Sequence, residues 1–201
     1  MDHPKKERTL VIIKPDGVQR TLIGEIIHRY ERTGLKLTAL KMVMPNEETV
    51  EKHYTVDPGW IRKVGEKSII SYQNKGLEAP FKDPEECGRA VLGRLKKYLT
   101  TGPVIAMIWQ GNKAVGIVRK LTGGTEPLTS DVGTIRGDLT IDSYDMSDLD
   151  DRAIRNLIHA SGSTEEAEKE IEIWFKKEEI LNYNLVLEKM LYDVNIDGIM
   201  E

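Results

Sequence analysis

The sequence predicts an α/β sandwich of the ferredoxin-like kind, a βαββαβ unit whose antiparallel four-stranded sheet is covered by helices on one face. Three observations carry this reading. Segments with strand and helix periodicity follow one another as strand–helix–strand–helices–strand–helix–strand, with helices trailing. Residues 103–109, Pro-Val-Ile-Ala-Met-Ile-Trp, are apolar without a break, which marks a central strand buried on both faces. The chain has 201 residues, 39 % hydrophobic and 31 % charged, enough for one core with additions rather than two full domains.

Each element has its own warrant. Residues 9–14 form a β-branched run, and Pro15-Asp16-Gly17 turns the chain at its end. Ile23, Ile26, Ile27 and Tyr30 recur at helical spacing, and Gly34 stands where that helix stops. From Leu35 the apolar phase alternates through Leu37 and Ala39, then slips to Leu40, Met42 and Met44. A strand with a bulge near Ala39-Leu40 accounts for the slip. Pro45-Asn46-Glu47-Glu48 opens a helix running to about Tyr54. Glycines and prolines interrupt the stretch from Pro58 to Pro84, leaving one short helix around Trp60 to Glu66. A clearer helix follows from Glu85, carrying Val91, Leu92, Leu95, Tyr98 and Leu99. After the central strand, Ala114, Val115, Val118 and Leu121 repeat helically until Gly123-Gly124. A polar loop is expected to about Asp138, and an acidic loop over 142–151. Leu157-Ile158 is a brief strand ending at His159. Ser163 and Glu166 have capping-box spacing ahead of a helix whose buried stripe is Ala167, Ile171, Trp174 and Phe175. Beyond Lys176, Leu181, Leu185, Leu187 and Leu191 are the expected anchors of a last helix.

Composition narrows the function classes. Lys and Arg number 29 against 33 Asp and Glu, a net charge of −4, so a basic face for duplex DNA is not expected. Cys87 is the only cysteine, which excludes an intrachain disulfide and a cysteine-based zinc site. The charged N-terminus is unlike a secretory signal, and no apolar stretch approaches the roughly 20 residues of a membrane helix. A cytoplasmic protein is expected, with no membrane or nucleic-acid partner.

The chain has no G-x-x-x-x-G-K-[ST] loop, no G-x-G-x-x-G after a strand, no H-E-x-x-H and no serine elbow. His159 stands out instead. It ends a strand a few residues before a well-capped helix, where free N–H groups and the helix dipole favour negative charge, including a phosphoryl group on the imidazole. His3 falls in a tail, His28 in mid-helix, and His53 at a helix end, where it is expected on the surface.

Three segments resemble the nucleoside diphosphate kinase family. Residues 7–20, Glu-Arg-Thr-Leu-Val-Ile-Ile-Lys-Pro-Asp-Gly-Val-Gln-Arg, look like its opening, and residues 133–138, Gly-Thr-Ile-Arg-Gly-Asp, resemble a second motif. Residues 156–163, Asn-Leu-Ile-His-Ala-Ser-Gly-Ser, are close to its Asn-x-x-His-Gly-Ser-x-Ser signature. The resemblance covers residues 7–57, 89–141 and 153 to about 183. It implies transfer of the γ-phosphoryl group of ATP or another nucleoside triphosphate to a nucleoside diphosphate through a phosphohistidine, in two half-reactions at one site.

By position, the resemblance makes His159 the nucleophile, and has Glu170 hold its imidazole. It puts Lys14 and Tyr54 beside the transferred phosphoryl group, Arg119, Thr125 and Arg136 on the phosphates, and Asn156 on the ribose. Ser161 is the signature serine near the nucleophile. Mg²⁺ is implied as a cofactor bridging phosphate oxygens, with water completing its shell. A homo-oligomer is implied as well, a hexamer ahead of a tetramer. The sequence also departs from the family. Val91 takes the place of the usual base-stacking ring, leaving Val91 and Leu95 as an apolar clamp, and Ala160 replaces the glycine after the nucleophile. The chain then reads as one domain over 1–201 with insertions within 58–88 and 142–152 and a helical extension over 176–201. Two rival readings are a non-catalytic nucleotide-binding module and a ferredoxin-like nucleic-acid binder.

Overall fold

The computed structural model describes residues 3–195 and 197. Met1 and Asp2 of the charged N-terminus, and residues 196 and 198–201 of the expected extension, lie outside the described residues. Strands β1 (Arg8–Ile13), β2 (Lys36–Val43), β3 (Val104–Gln110) and β4 (Ile158–Ala160) form one sheet in the order β2-β3-β1-β4. Every neighbouring pair is antiparallel. The two central strands are the most apolar ones, because only they have neighbours on both edges and cover on both faces.

Helices cover both faces, not one. On the first face Val11, Ile13, Ile105, Met107 and Trp109 pack with Ile26 and Tyr30 of α2 (Ile23–Glu31) and Ala114 and Val118 of α6 (Ala114–Thr122). On the second, Leu10, Ile12, Ala106 and Ile108 meet Ile171 and Trp174 of α9 (Thr164–Trp174) and Phe175. The alternation of β1 and β3 thus feeds two cores, which is why neither strand has a polar side.

Several local expectations need correction. The turn at Pro15 is a short helix, α1 (Pro15–Gln19). The β2 bulge falls at Leu37/Ala39, one step earlier than expected. The stretch after Pro58 holds α4 (Trp60–Asn74), far longer than the expected short helix. Gly65 does not break it, because it serves packing. A Cβ on Gly65 would sit 1.8 Å from Pro84 O, and one on Gly88 would sit 2.0 Å from Ile61 O. These paired glycines press α4 onto α5 (Pro84–Leu99). Two expected loops contain short helices, α7 (Ile135–Leu139) and α8 (Tyr144–Leu149), each started by a side-chain cap, Thr134 and Ser143. The capping box of α9 is half formed: Ser163 Oγ accepts the Glu166 N–H, but the Glu166 carboxylate takes the Gly162 N–H instead.

The segment after α9 lies along the open edge of β2. Leu181 N–H donates to Thr38 O at 2.8 Å and the Tyr183 hydroxyl donates to Leu37 O at 2.7 Å. Its last helix is α10 (Leu187–Tyr192), and the expected anchors Leu181, Leu187 and Leu191 are exposed, because polar contacts to β2 hold the segment down. Among the described residues no helix is long and apolar enough to cross a membrane.

Candidate active site

The β1–β4 pairing builds the site. His159 lies within β4, opposite Ile12, and Lys14 follows directly on the end of β1. Tyr54 ends α3 (Glu47–Tyr54), Val91 and Leu95 lie on α5, and Arg119 on α6. Thr125 follows α6, Arg136 is in α7, Asn156 precedes β4 and Glu170 is on α9. All ten line one cavity of about 630 Å³. Ser161 does not reach it; it is fully buried behind His159.

His159 is held from one side only. Its Nε2 lies 3.1 Å from Glu170 Oε1 in a bent approach, while Glu170 Oε2 accepts the Ser161 hydroxyl at 2.6 Å. Ser161 Oγ in turn accepts the Leu10 N–H of β1 at 3.2 Å. With Nε2 buried against a carboxylate, the neutral ring carries its proton there, and Nδ1 keeps a free lone pair on the cleft side. Burial alone would push the Glu170 carboxyl up, but the His159 and His53 rings and the Ser161 hydroxyl hold it down to about 2.

His53 is not the surface residue the sequence suggests. It is 2 % exposed and stands edge-on to His159, with ring centroids 4.3 Å apart. Its Nδ1 accepts the Trp174 indole N–H at 3.3 Å. Burial, then the neighbouring His159, lowers its pKa to about 3, so the ring is neutral at pH 7. The signal for this was available: His53 stands three residues after Val50, on the same buried side of α3. His53, His159 and Glu170 offer donor atoms within 4.8 Å of one another, a metal-like grouping. Trp174 and Ser161 already occupy His53 and Glu170, and Lys14 and Arg136 make the surroundings cationic, so the three act as an orienting network.

The cations differ in freedom. Lys14 is 5 % exposed, donates from Nζ to Asn156 Oδ1 at 2.7 Å, and lies 5.5 Å from the centre of the Tyr98 ring. Burial, with Arg136 adding to it, drops its pKa to about 7. Asn156 is bound at both ends, since its Nδ2 donates to Thr125 O at 2.8 Å. Arg136 is a structural joint as well as a cleft cation. Its guanidinium donates to Asn156 O, Gly123 O, Gly124 O and Ile158 O at 3.1, 3.2, 2.9 and 2.7 Å. Burial lowers its pKa to about 10, which still leaves it charged at neutral pH. Arg119 is exposed and its side chain forms no hydrogen bond among the described residues, so its fork is open to a ligand. Burial, with Glu170 adding, raises the Tyr54 phenol well above its ordinary range, so it stays a neutral donor. Leu157, between Asn156 and Ile158, has φ +68°, fixed by its N–H to Asp16 Oδ2 at 3.1 Å and its carbonyl to the Lys14 N–H at 2.7 Å.

A half-buried imidazole held at one nitrogen, in a cavity also lined by Lys14, Arg119 and Arg136, suits covalent capture of a phosphoryl group. Comparison with known proteins gives the family. The sequence profile of the family described as "Nucleoside diphosphate kinase" matches residues 7–60 and 67–180. A nucleoside diphosphate kinase of Pyrobaculum aerophilum is 48 % identical over 179 residues, spanning 87 % of this chain and 98 % of that protein. The chain belongs to the nucleoside diphosphate kinase family. As a nucleoside diphosphate kinase it is a phosphotransferase, moving the terminal phosphoryl group of a nucleoside triphosphate to a nucleoside diphosphate.

Other relatives place this kinase in the same family. Human nucleoside diphosphate kinase 3 is 41 % identical, over 88 % of this chain and 80 % of the human one. The crystal structure of the Pyrobaculum aerophilum NDP kinase superposes with a TM-score of 0.85 at 45 % identity, covering 88 % of this chain and all of that one. A transition-state mimic of nucleoside-diphosphate kinase from Borrelia burgdorferi with bound vanadate and ADP gives a TM-score of 0.77 at 36 % identity, covering 94 % of this chain and 98 % of that one. The ferredoxin-like sheet expected from the sequence is the fold that this kinase shares with them.

Proposed function

We propose that this kinase works by a ping-pong mechanism through a phosphohistidine on Nδ1 of His159. The observation that carries this is the one-sided hold on the ring: Nε2 faces Glu170 at 3.1 Å, which leaves Nδ1 as the nitrogen available to the cleft that His159 and Lys14 both line. In the first half-reaction the Nδ1 lone pair attacks the γ-phosphorus. The bond from that phosphorus to the β,γ-bridging oxygen breaks, and the diphosphate leaves with the electron pair. In the second, a terminal oxygen of the acceptor diphosphate attacks the same phosphorus and Nδ1 recovers its lone pair. The Nε2 proton stays facing Glu170 throughout, so the ring's charge is stabilised without a proton being moved.

The other residues position and neutralise. Lys14 and the Tyr54 hydroxyl hold the transferred group, and Arg119, Thr125 and Arg136 hold the remaining phosphates. Asn156 sets Lys14 and meets the ribose, and Ser161 holds Glu170. Val91 and Leu95 grip the base. The carboxylates facing the cleft are already engaged: Glu170 as above, Asp148 by Lys75 at 2.9 Å, Asp57 by Lys63 at 2.5 Å, and Glu166 by the Gly162 N–H at 3.0 Å. The residues therefore fit a Mg²⁺ ion carried on the nucleotide phosphates and completed by water, with no protein cage. When bound, the ion neutralises charge on the phosphate oxygens.

We read residues 1–201 as one domain with insertions within 58–88 and 142–152 and an extension from 176, acting in the cytoplasm as a homo-oligomer, a hexamer ahead of a tetramer. Edge strand β2 supports self-association, since Leu40 and Met42 on it and Met44 just past its end are 47, 57 and 60 % exposed. Incubation with γ-labelled ATP gives acid-labile, base-stable label on the wild-type protein. Absence of label, or its survival in His159→Ala, refutes the mechanism, and mass determination in solution checks the assembly.

A further inference from the structure

The cavity does not end at the apolar clamp. Beyond Val91 and Leu95 it continues between α4 and α8, the two helices that fall inside the expected insertions. On α4, Val64, Lys67, Ser68 and Ser71 face it at i, i+3, i+4 and i+7, one side of a helix. The crossing of Gly65 and Gly88 fixes how close this side stands to α5. Neither serine hydroxyl is spent on the protein: both are half-buried, neither bonds back to its own helix, and both open on the cavity.

The opposite wall is tied to this one. Lys75, at the C-terminal end of α4, reaches Asp145 Oδ1 at 2.8 Å and Asp148 Oδ2 at 2.9 Å on α8. Arg94 of α5 reaches Asp151 at 3.1 Å. Three ion pairs thus link the walls of the cleft between segments far apart in sequence, 73 residues for Lys75 and Asp148 and 57 for Arg94 and Asp151. With the phosphates drawn to Lys14, Arg119 and Arg136 at the inner end, the base of a bound nucleotide extends outward into this space.

We infer that α4 and α8 form an outer base subsite, in which the Ser68 and Ser71 hydroxyls hydrogen-bond the polar edge of the nucleobase and the Lys75 clasp keeps the walls at that spacing. The inference rests on the cleft being the nucleotide site. An apolar clamp grips any base by its faces and discriminates little. Hydroxyls fixed at the edge favour bases that pair with them, because a mismatched base leaves a half-buried polar group unpaired.

The test is kcat/KM for GDP, CDP, UDP and dTDP with ATP as donor, for the wild type, Ser68→Ala/Ser71→Ala and Lys75→Gln. Alanine is the better helix former, so the double variant keeps α4. The wild type is expected to spread the four acceptors over about tenfold, and the double variant to compress that to about threefold or less, with the change carried by KM. Lys75→Gln is expected to compress the spread as well. A wild type that treats all four bases alike, or a spread untouched in the double variant, overturns the subsite while transfer itself continues. Loss of transfer to every acceptor in the wild type overturns the reading of the cleft, and the subsite with it.

Discussion

Lys14 makes nucleotide binding a proton-coupled event. Its ammonium titrates at about 7 instead of 10.5 because it is buried and faces the Arg136 charge. At pH 8 a group with that pKa is about one-tenth protonated. Phosphate oxygens brought beside it favour the charged form, so each bound nucleotide takes up about 0.9 proton at pH 8, about half a proton at pH 7 and little at pH 6. Arg136, at about 10, stays charged across this range and adds nothing to the count. The assay is titration calorimetry of the wild type with Mg-ADP, which binds without chemistry, in two buffers of different ionisation enthalpy. The dependence of observed enthalpy on buffer enthalpy gives the proton count directly. Lys14→Met brings the pH 8 value close to zero, whereas a wild-type value close to zero at pH 8 refutes the argument. The same group links stability to pH with a definite sign. Between about 7 and 10.5 the unfolded chain holds the Lys14 proton and the folded chain does not, so this contribution to stability rises with pH through that window. Chemical denaturation shows it as a rise that Lys14→Met removes.

Three other perturbations follow from the site. Glu170 is held at about 2 against an ordinary 4.5, a contribution to stability present above about 4.5 and lost as pH falls through 2. Glu170→Gln therefore flattens the acid limb of the stability profile and slows phosphohistidine formation in a single turnover. His53→Ala removes the ring behind His159 and leaves the Trp174 N–H without its acceptor, for a loss of about 3 kcal/mol in denaturant titration and a kcat that falls more than KM rises. Arg136→Lys keeps the charge but replaces a fork reaching four carbonyls with a single nitrogen. It lowers stability by about 2–4 kcal/mol and raises KM for nucleotides, and unchanged thermal unfolding in that variant contradicts the joint role.

What the sequence revealed follows the range of the forces involved. The unbroken run 103–109 announced β3 because burial on both faces leaves no polar position. His159 was visible through its neighbours, a strand before it and Ser163 capping a helix after it. Short helices were not. Helices α7 and α8, of five and six residues, are too brief to show a period, and only their caps mark them. Helix α4 was hidden by Gly65, a poor helix former retained because a neighbouring backbone leaves no room for a Cβ. His53 was misplaced because its burial depends on Trp174 and His159, more than a hundred residues away. The family resemblance named Asn156 and Arg136, but not that each is already bonded within the protein.

The pairing of β1 with β4 has a consequence in time as well as in space. Lys14 meets Asn156 across 142 positions, Leu157 meets Asp16 across 141, and Leu10 meets Ser161 across 151. No portion of the chain that stops short of β4 holds both the lysine and the histidine, and α9 must follow before Glu170 can turn the ring. Contacts of such separation close late in folding. A partly synthesised or partly refolded chain is therefore inert toward nucleoside triphosphates, and recovery of phosphotransfer marks the final step of assembly.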